Sequence, residues 1–419
     1  MYPYKYRHRR NYRGRRNKRK LIIAVIIIFI ILAAAAFFLY KKGFFAGKDD
    51  IEADDTMLIL TDPDDGDDRE EETREESVIL PPPVKVKGVY VTGWSAGTPG
   101  RIDHFIELCE TTEINALVID IKDDRGQITF KSDIAPGSEA VTNIIRNPGD
   151  MVSLLKSHGI YTIARIVCFK DPIWSLENPE LAIKDKNGDL WKDTNGNTWL
   201  NPYEKGSWDY LVNVAREAAK LGFDEVQFDY VRFPTDGNIK EIDYGYIADE
   251  KTKAAAIGEF LEYAREELRK NRIYLSADVF GIIAVSQVDS MTIGQDLETI
   301  MQNADFICPM IYPSHYANKR QNGEGQNING ILFAAPDLKP YEVIYNTLIL
   351  IKERAEYLQE SAIVRPYLQD FTAAYLGTGY YQIYGAKQIR EQIQAVYDAG
   401  YEEWILWNAS NVYSENAFR

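Results

Sequence analysis

Apolar and polar residues alternate with a period of two in several short runs, and two of those runs carry an acid near their end. In residues 223–234, Val226, Phe228 and Tyr230 fall on one side of an extended chain and Gln227 and Asp229 on the other, with Pro234 set to stop the strand. In residues 273–280, Leu275, Ala277 and Val279 share one face while Ser276 and Asp278 share the opposite one. Each pattern predicts a buried strand that delivers a carboxyl group to one side of a sheet.

Similar apolar runs occur at 86–94, 116–122, 161–169, 225–233, 273–280, 305–312, 363–369 and 403–408. Helix-period patterns fill the gaps, near 101–112, 148–158, 207–221, 251–270, 295–303, 340–358 and 386–399. Eight strands alternating with seven helices predict an α/β fold, a closed (β/α)8 TIM barrel over residues 84–413. A doubly wound sheet is the alternative, but no Gly-rich phosphate-binding turn follows the first strand. Long connections at 170–207 and 313–339 follow the third and sixth strands, which places both on the catalytic face of a barrel. The first holds Trp174, Trp191, Trp199 and Tyr203 beside Asn187, Asn195, Asn197 and Asn201, a mixture that suits either sugar rings and their hydroxyls or the anchoring of a long loop.

The N-terminal part has another character. Residues 21–40 form an uncharged apolar stretch of 20 residues, long enough at about 1.5 Å per residue to cross a bilayer core of about 30 Å. Ten basic residues precede it, and by the positive-inside rule they keep residues 1–20 in the cytoplasm as a basic tail. A cleaved signal peptide with small residues at 33–36 is the rival expectation, giving a secreted protein. The continued apolarity through Phe37, Phe38, Leu39 and Tyr40 favours a single-pass signal-anchor, and either way the barrel is exported. Charge beside such a span reads as a topology signal, so no nucleic-acid partner is expected. Residues 41–83 read as an acidic, Pro-rich linker: positions 49–76 carry 15 acids and two arginines, and such a run cannot bury enough apolar surface to fold. Three cysteines, Cys109, Cys168 and Cys308, exclude a disulfide framework and read as small buried hydrophobes.

Barrel enzymes carry their chemistry at the carboxyl ends of the strands. Those positions here hold Asp120 and Lys122 (second strand), Arg165 (third), Asp229 and Arg232 (fourth), Asp278 (fifth), Tyr312 and His315 (sixth), Gln369 (seventh) and Trp407 (eighth). Two acids on neighbouring strands fit glycosidic hydrolysis, in which one carboxyl group protonates the leaving oxygen and a carboxylate attacks or activates water. Asp229 is the expected nucleophile or base and Asp278 the general acid. Asp120, Lys122, Arg165, Arg232, Tyr312, His315 and Gln369 are expected to position sugar hydroxyls, with Trp174 and Trp407 stacking on rings. Four histidines, one in the tail and two in helices, argue against a zinc site, and no Gly-x-Ser-x-Gly elbow occurs. No metal or cofactor is expected.

The segments 87–93 (KGVYVTG), 118–123 (VIDIKD), 228–234 (FDYVRFP), 276–281 (SADVFG) and 310–316 (MIYPSHY) together resemble a bacterial glycoside hydrolase family formerly classed as a domain of unknown function. That resemblance covers nearly all of 84–413. It implies a TIM barrel distantly similar to alpha-amylase and alpha-galactosidase enzymes, in which the aspartate closing the fourth strand is the nucleophile, here Asp229. The chain departs from the amylase-like pattern at two positions: Asp278 stands where the acid is a glutamate, and Gln227 stands where an arginine precedes the nucleophile.

The expected function is a membrane-anchored, extracytoplasmic glycoside hydrolase acting on a surface or environmental polysaccharide. A noncatalytic carbohydrate-binding envelope protein on the same scaffold is the alternative. Residues 77–419 carry a net charge of −15, which opposes long-range attraction of polyanions and favours neutral or amino sugars.

Overall fold

The computed structural model describes residues 80–418, Tyr246 excepted. The basic tail, the apolar stretch and all but the last few residues of the acidic linker lie outside the described residues. No helix among those described is long and apolar enough to cross a membrane.

Eight parallel strands close into a barrel: β1 Lys87–Val91, β2 Ala116–Lys122, β3 Tyr161–Val167, β4 Glu225–Asp229, β5 Tyr274–Phe280, β6 Phe306–Met310, β7 in two pieces, Ile363–Val364 and Tyr367–Gln369, and β8 Trp404–Trp407. Each strand pairs with the next, and β8 returns to β1 with Lys87 opposite Trp404. One crossover helix packs between each successive pair of strands, with shorter helices in the loops: α1 Arg101–Thr111, α2 Pro148–Ser157, α3 Lys205–Leu221, α4 Lys253–Arg269, α5 Leu297–Asn303, α6 Pro340–Ala355 and α7 Ala386–Asp398. This is the (β/α)8 order expected from the alternation of periods. Side-chain caps fix some of the entries: Thr252 accepts from the Ala255 amide at 3.2 Å, and Asp296 from that of Thr299 at 3.1 Å.

All seven residues of β2 are buried, because its outer face meets helices and its inner face meets the barrel interior. The outward residues Val226, Phe228, Leu275, Ala277 and Val279 join one large apolar cluster with the helices. The interior is polar for a barrel core. Near the strands' N-terminal ends, Arg365 donates to Glu225 at 2.8 Å and to Glu403 at 2.7 Å. One layer up, the Tyr367 hydroxyl donates to Gln227 at 2.6 Å, and Gln227 donates in turn to the Cys308 sulfur at 3.3 Å. Pairing these groups inside the barrel avoids most of the cost of leaving buried donors and acceptors unmet, with Arg365 Nη2 left without a partner.

The strands depart from the sequence expectation most at three places. The fourth strand stops at Asp229, not at Phe233, because Tyr230 takes a left-handed backbone with φ 50° and turns the chain out of the sheet four residues before Pro234. The first strand stops at Val91, where Thr92 caps a short helix by accepting from the Ser95 amide at 3.1 Å. The seventh is broken at Arg365 and Pro366, since proline brings no N–H to the ladder.

Candidate active site

Parity along β2, β3, β4 and β5 points Asp120, Arg165, Asp229 and Asp278 inward near the carboxyl ends of four consecutive strands, and the guanidinium of Arg165 gathers them. Its Nη1 pairs with Asp120 and its Nη2 with Asp229, while its Nε lies 3.9 Å from Asp278 Oδ2. Tyr90, from β1, donates its hydroxyl to the other oxygen of Asp120, and its ring lies 5.3 Å from the guanidinium. Asp120 is thus held on both oxygens and sits behind Arg165.

Burial governs the protons here. It pushes the Asp120 carboxyl up to about 6, against the opposing pull of Arg165 and Tyr90. Asp278 is only 1% exposed and its Oδ1 has no hydrogen-bond partner. Burial first, and then the neighbouring charge of Asp229, hold its carboxyl well above the usual range, so it keeps its proton where ordinary aspartates have lost theirs. Asp229, by contrast, faces a guanidinium that compensates a negative charge. Two acids in different settings, one paired with a guanidinium and one buried with an unpartnered oxygen, therefore share one opening. Burial also lowers the His315 imidazole, which favours its neutral form near pH 7.

That opening is a cavity of about 250 Å³ lined by Arg165, Asp229, Asp278, Arg232, Tyr312, His315 and Trp407, together with Tyr230, Phe280, Met310 and Tyr367. Aromatic rings form one wall: Tyr312 lies 5.9 Å from Trp407 and meets His315 edge-on at 4.9 Å, while Tyr90 stacks behind Trp407 at 6.1 Å. A second hollow of about 550 Å³ shares Phe280, Met310 and His315 with it and continues past Ser314 and Gln321 to Tyr375. A depression of about 570 Å³ beside Trp94 and Leu154 contains none of the inward acids. Among the described residues no group of three or more His, Cys, Asp or Glu side chains is placed to hold a metal ion.

Seven of the residues singled out from sequence therefore meet at one cavity: Asp229, Asp278, Arg165, Arg232, Tyr312, His315 and Trp407. Four others lie elsewhere. Lys122 is fully buried, pairs with Asp171 at 2.8 Å and donates to the Val167 carbonyl at 2.7 Å; a register shift between Asp120 and Lys122 takes it off the inner face. Trp174 is stacked on Tyr210 of α3 at 4.3 Å, and its amide is held by Asp171 at 2.8 Å. Gln369 is fully buried and braces loops, accepting from the Ser314 amide at 3.1 Å and donating to Asp337 at 3.0 Å. Asp120 does not line the cavity. Trp191 and Trp199 are also buried, their indole N–H groups donating to the Asn238 carbonyl and to Asp193, so these tryptophans anchor the loop after β3. Missed by the sequence selection were Tyr230, Phe280, Met310 and Tyr367. Tyr367 had a usable signal in its parity with Arg365, whereas Tyr230 reaches the cavity only through its left-handed backbone.

Comparison with solved structures returns a likeness of fold. The PgaB (BpsB) glycoside hydrolase domain from Bordetella bronchiseptica matches with a TM-score of 0.56 and 13% identity over 78% of this chain and 94% of its own, a likeness of fold. A hypothetical protein from Ruminiclostridium thermocellum is 43% identical over 46% of this chain and 97% of its own, with a TM-score of 0.42. No match was found among curated proteins. Residues 88–413, covering the barrel almost from its first strand to beyond its last, match the family described as "Putative glycosyl hydrolase domain", and the chain belongs to that family.

Proposed function

We propose that the chain is a glycoside hydrolase that cleaves a surface or environmental polysaccharide, with Asp278 as general acid and Asp229 as nucleophile or base. One observation carries this reading: Asp229 and Asp278 line the same small cavity, one paired closely with the Arg165 guanidinium and the other buried at 3.9 Å from its Nε. In the reaction, Asp278 gives its proton to the glycosidic oxygen as the bond to the anomeric carbon breaks. Asp229 either attacks that carbon or takes a proton from the water that does. Arg165 positions Asp229. Tyr312 and Trp407 offer apolar faces to a ring, and the adjoining hollow leaves room for further units of a chain. The apolar stretch at 21–40 supports an anchored protein with its barrel outside the cytoplasm.

A second reading has its own support. Arg165 already satisfies Asp120 and Asp229, and Asp278 is almost sealed, an arrangement compatible with a barrel that binds glycans without turning them over. Screening the full-length chain and its Asp229→Asn variant on a polysaccharide panel separates the two. Cleavage by the native chain, with binding but no cleavage by the variant, supports the hydrolase; binding without cleavage in both supports the binder.

A further inference from the structure

Among the described residues, three cationic side chains near the barrel mouth have carboxylate partners, and Arg232 has none. Arg165 pairs with Asp120 and Asp229, Lys122 with Asp171, and Lys170 with Asp124. Arg232 forms no ion pair among the described residues. It is 7% exposed and lines the cavity beside Asp229 and Asp278. Among the described residues its one hydrogen bond runs from Nη1 to the Phe233 carbonyl at 3.0 Å, which leaves most of its five N–H donors without a protein acceptor there. Three rings hold the guanidinium in place: Tyr230 and Phe280 at 4.8 Å and Trp199 at 5.2 Å. Ring faces attract a cation but accept few of its N–H groups, so the fork is fixed and still lacks an acceptor.

A guanidinium that is always charged, withdrawn from water and set rigidly at a cavity wall is built to meet an oxyanion, and its planar fork matches a carboxylate on two N–H groups at once. The two acids alongside do not forbid an anion there, because Arg165 compensates Asp229 and the sealed position of Asp278 favours its neutral form. We infer that Arg232 recognises an anionic substituent, the carboxylate of a uronic acid unit, on the sugar that occupies the 250 Å³ cavity. This rests on the glycan reading above and narrows it. The net charge of −15 on residues 77–419 repels polyanions at long range, so the acidic unit belongs to an otherwise neutral or amino-sugar chain.

The test is a titration of the full-length chain with matched methyl glycosides: glucoside against glucuronide, galactoside against galacturonide, and the 6-O-sulfated glucoside as a second anion. Binding is followed by calorimetry or by the fluorescence of Trp199 and Trp407. At least one uronide is expected to bind tenfold or more tightly than its neutral counterpart. Arg232→Gln should erase that preference while affecting the neutral sugar less, and Arg232→Lys should keep part of it. A sulfated sugar that equals the uronide would sustain the anion site and shift its source to a sulfate ester. Equal binding of neutral and acidic sugars by the native chain, a preference that survives Arg232→Gln, or no binding of any of these sugars overturns the inference. Its fate is separable from that of the hydrolase: cleavage of neutral glycans with no acidic preference removes only the anion site, while Arg232-dependent uronide binding without cleavage of any glycan removes only the hydrolase.

Discussion

Replacing Arg165 with methionine removes the cation that the inward acids share and leaves the volume roughly filled. Its two carboxylate partners are nearly sealed, Asp120 at 4% and Asp229 at 7% exposure, and Asp278 lies 3.9 Å from its Nε. Breaking a buried pair by deleting one partner typically costs about 3–5 kcal/mol. The carboxyl groups left behind escape by taking up protons, and that escape depends on pH. A carboxyl forced to stay neutral costs about 1.36 kcal/mol for each pH unit above its unfolded value near 3.9, hence about 5 kcal/mol at pH 7.5 and about 1.5 at pH 5. The sign follows: groups raised in the folded state, as Asp120 is to about 6, bind more protons folded than unfolded, so their stability contribution falls as pH rises from the unfolded value through the folded one. Removing Arg165 raises them further and widens that window. Urea unfolding of the full-length Arg165→Met variant and the native chain, followed by tryptophan fluorescence, should therefore show a loss of about 3–5 kcal/mol at pH 7.5 that shrinks to about 2 or less at pH 5. An equal loss at both pH values, or none at pH 7.5, would refute the electrostatic account of this cluster.

Cleavage should persist into the neutral range and decline as pH rises through the raised Asp278 value, because the acid must hold its proton; a kcat/KM profile without an alkaline limb would count against that role. Trp407→Ala should weaken glycan binding measured by calorimetry, whereas Trp174→Ala should leave it unchanged and cost about 3 kcal/mol of stability through the lost stack on Tyr210. Gln369→Leu should destabilise by about 1–3 kcal/mol in the same unfolding assay, since it strands the Ser314 amide and the Asp337 carboxylate away from water.

What was legible from the chain is what backbone periodicity controls. A strand turns alternate side chains to alternate faces, so a run such as Glu225-Val-Gln-Phe-Asp229 announces both its apolar outer face and its polar inner one. Parallel barrel strands order their ends in space, which brought Arg165, Asp229 and Asp278 together from positions far apart in the chain. Parity fails where the strand ends. Tyr230 leaves the sheet on a left-handed backbone that a non-glycine residue does not advertise, and this sets both Tyr230 and Arg232 on the cavity wall. Gln369 has the inward parity of Tyr367 but stands last in its strand, where neighbouring loops claim its amide. In the loop after β3, tryptophans amid asparagines have the composition of a sugar platform and also of a loop core. Only the packing of Trp174 on Tyr210 and the sealed positions of Trp191 and Trp199 distinguish them.

In the proposed reaction Asp229 and Asp278 act together on one glycosidic bond. Incubating the native full-length chain, Asp229→Asn and Asp278→Asn with a polysaccharide panel, and measuring new reducing ends beside glycan binding, tests it most directly. Cleavage by the native chain, a loss of at least about a hundredfold in each variant, and retained binding in both are expected. Cleavage that survives either substitution would contradict it.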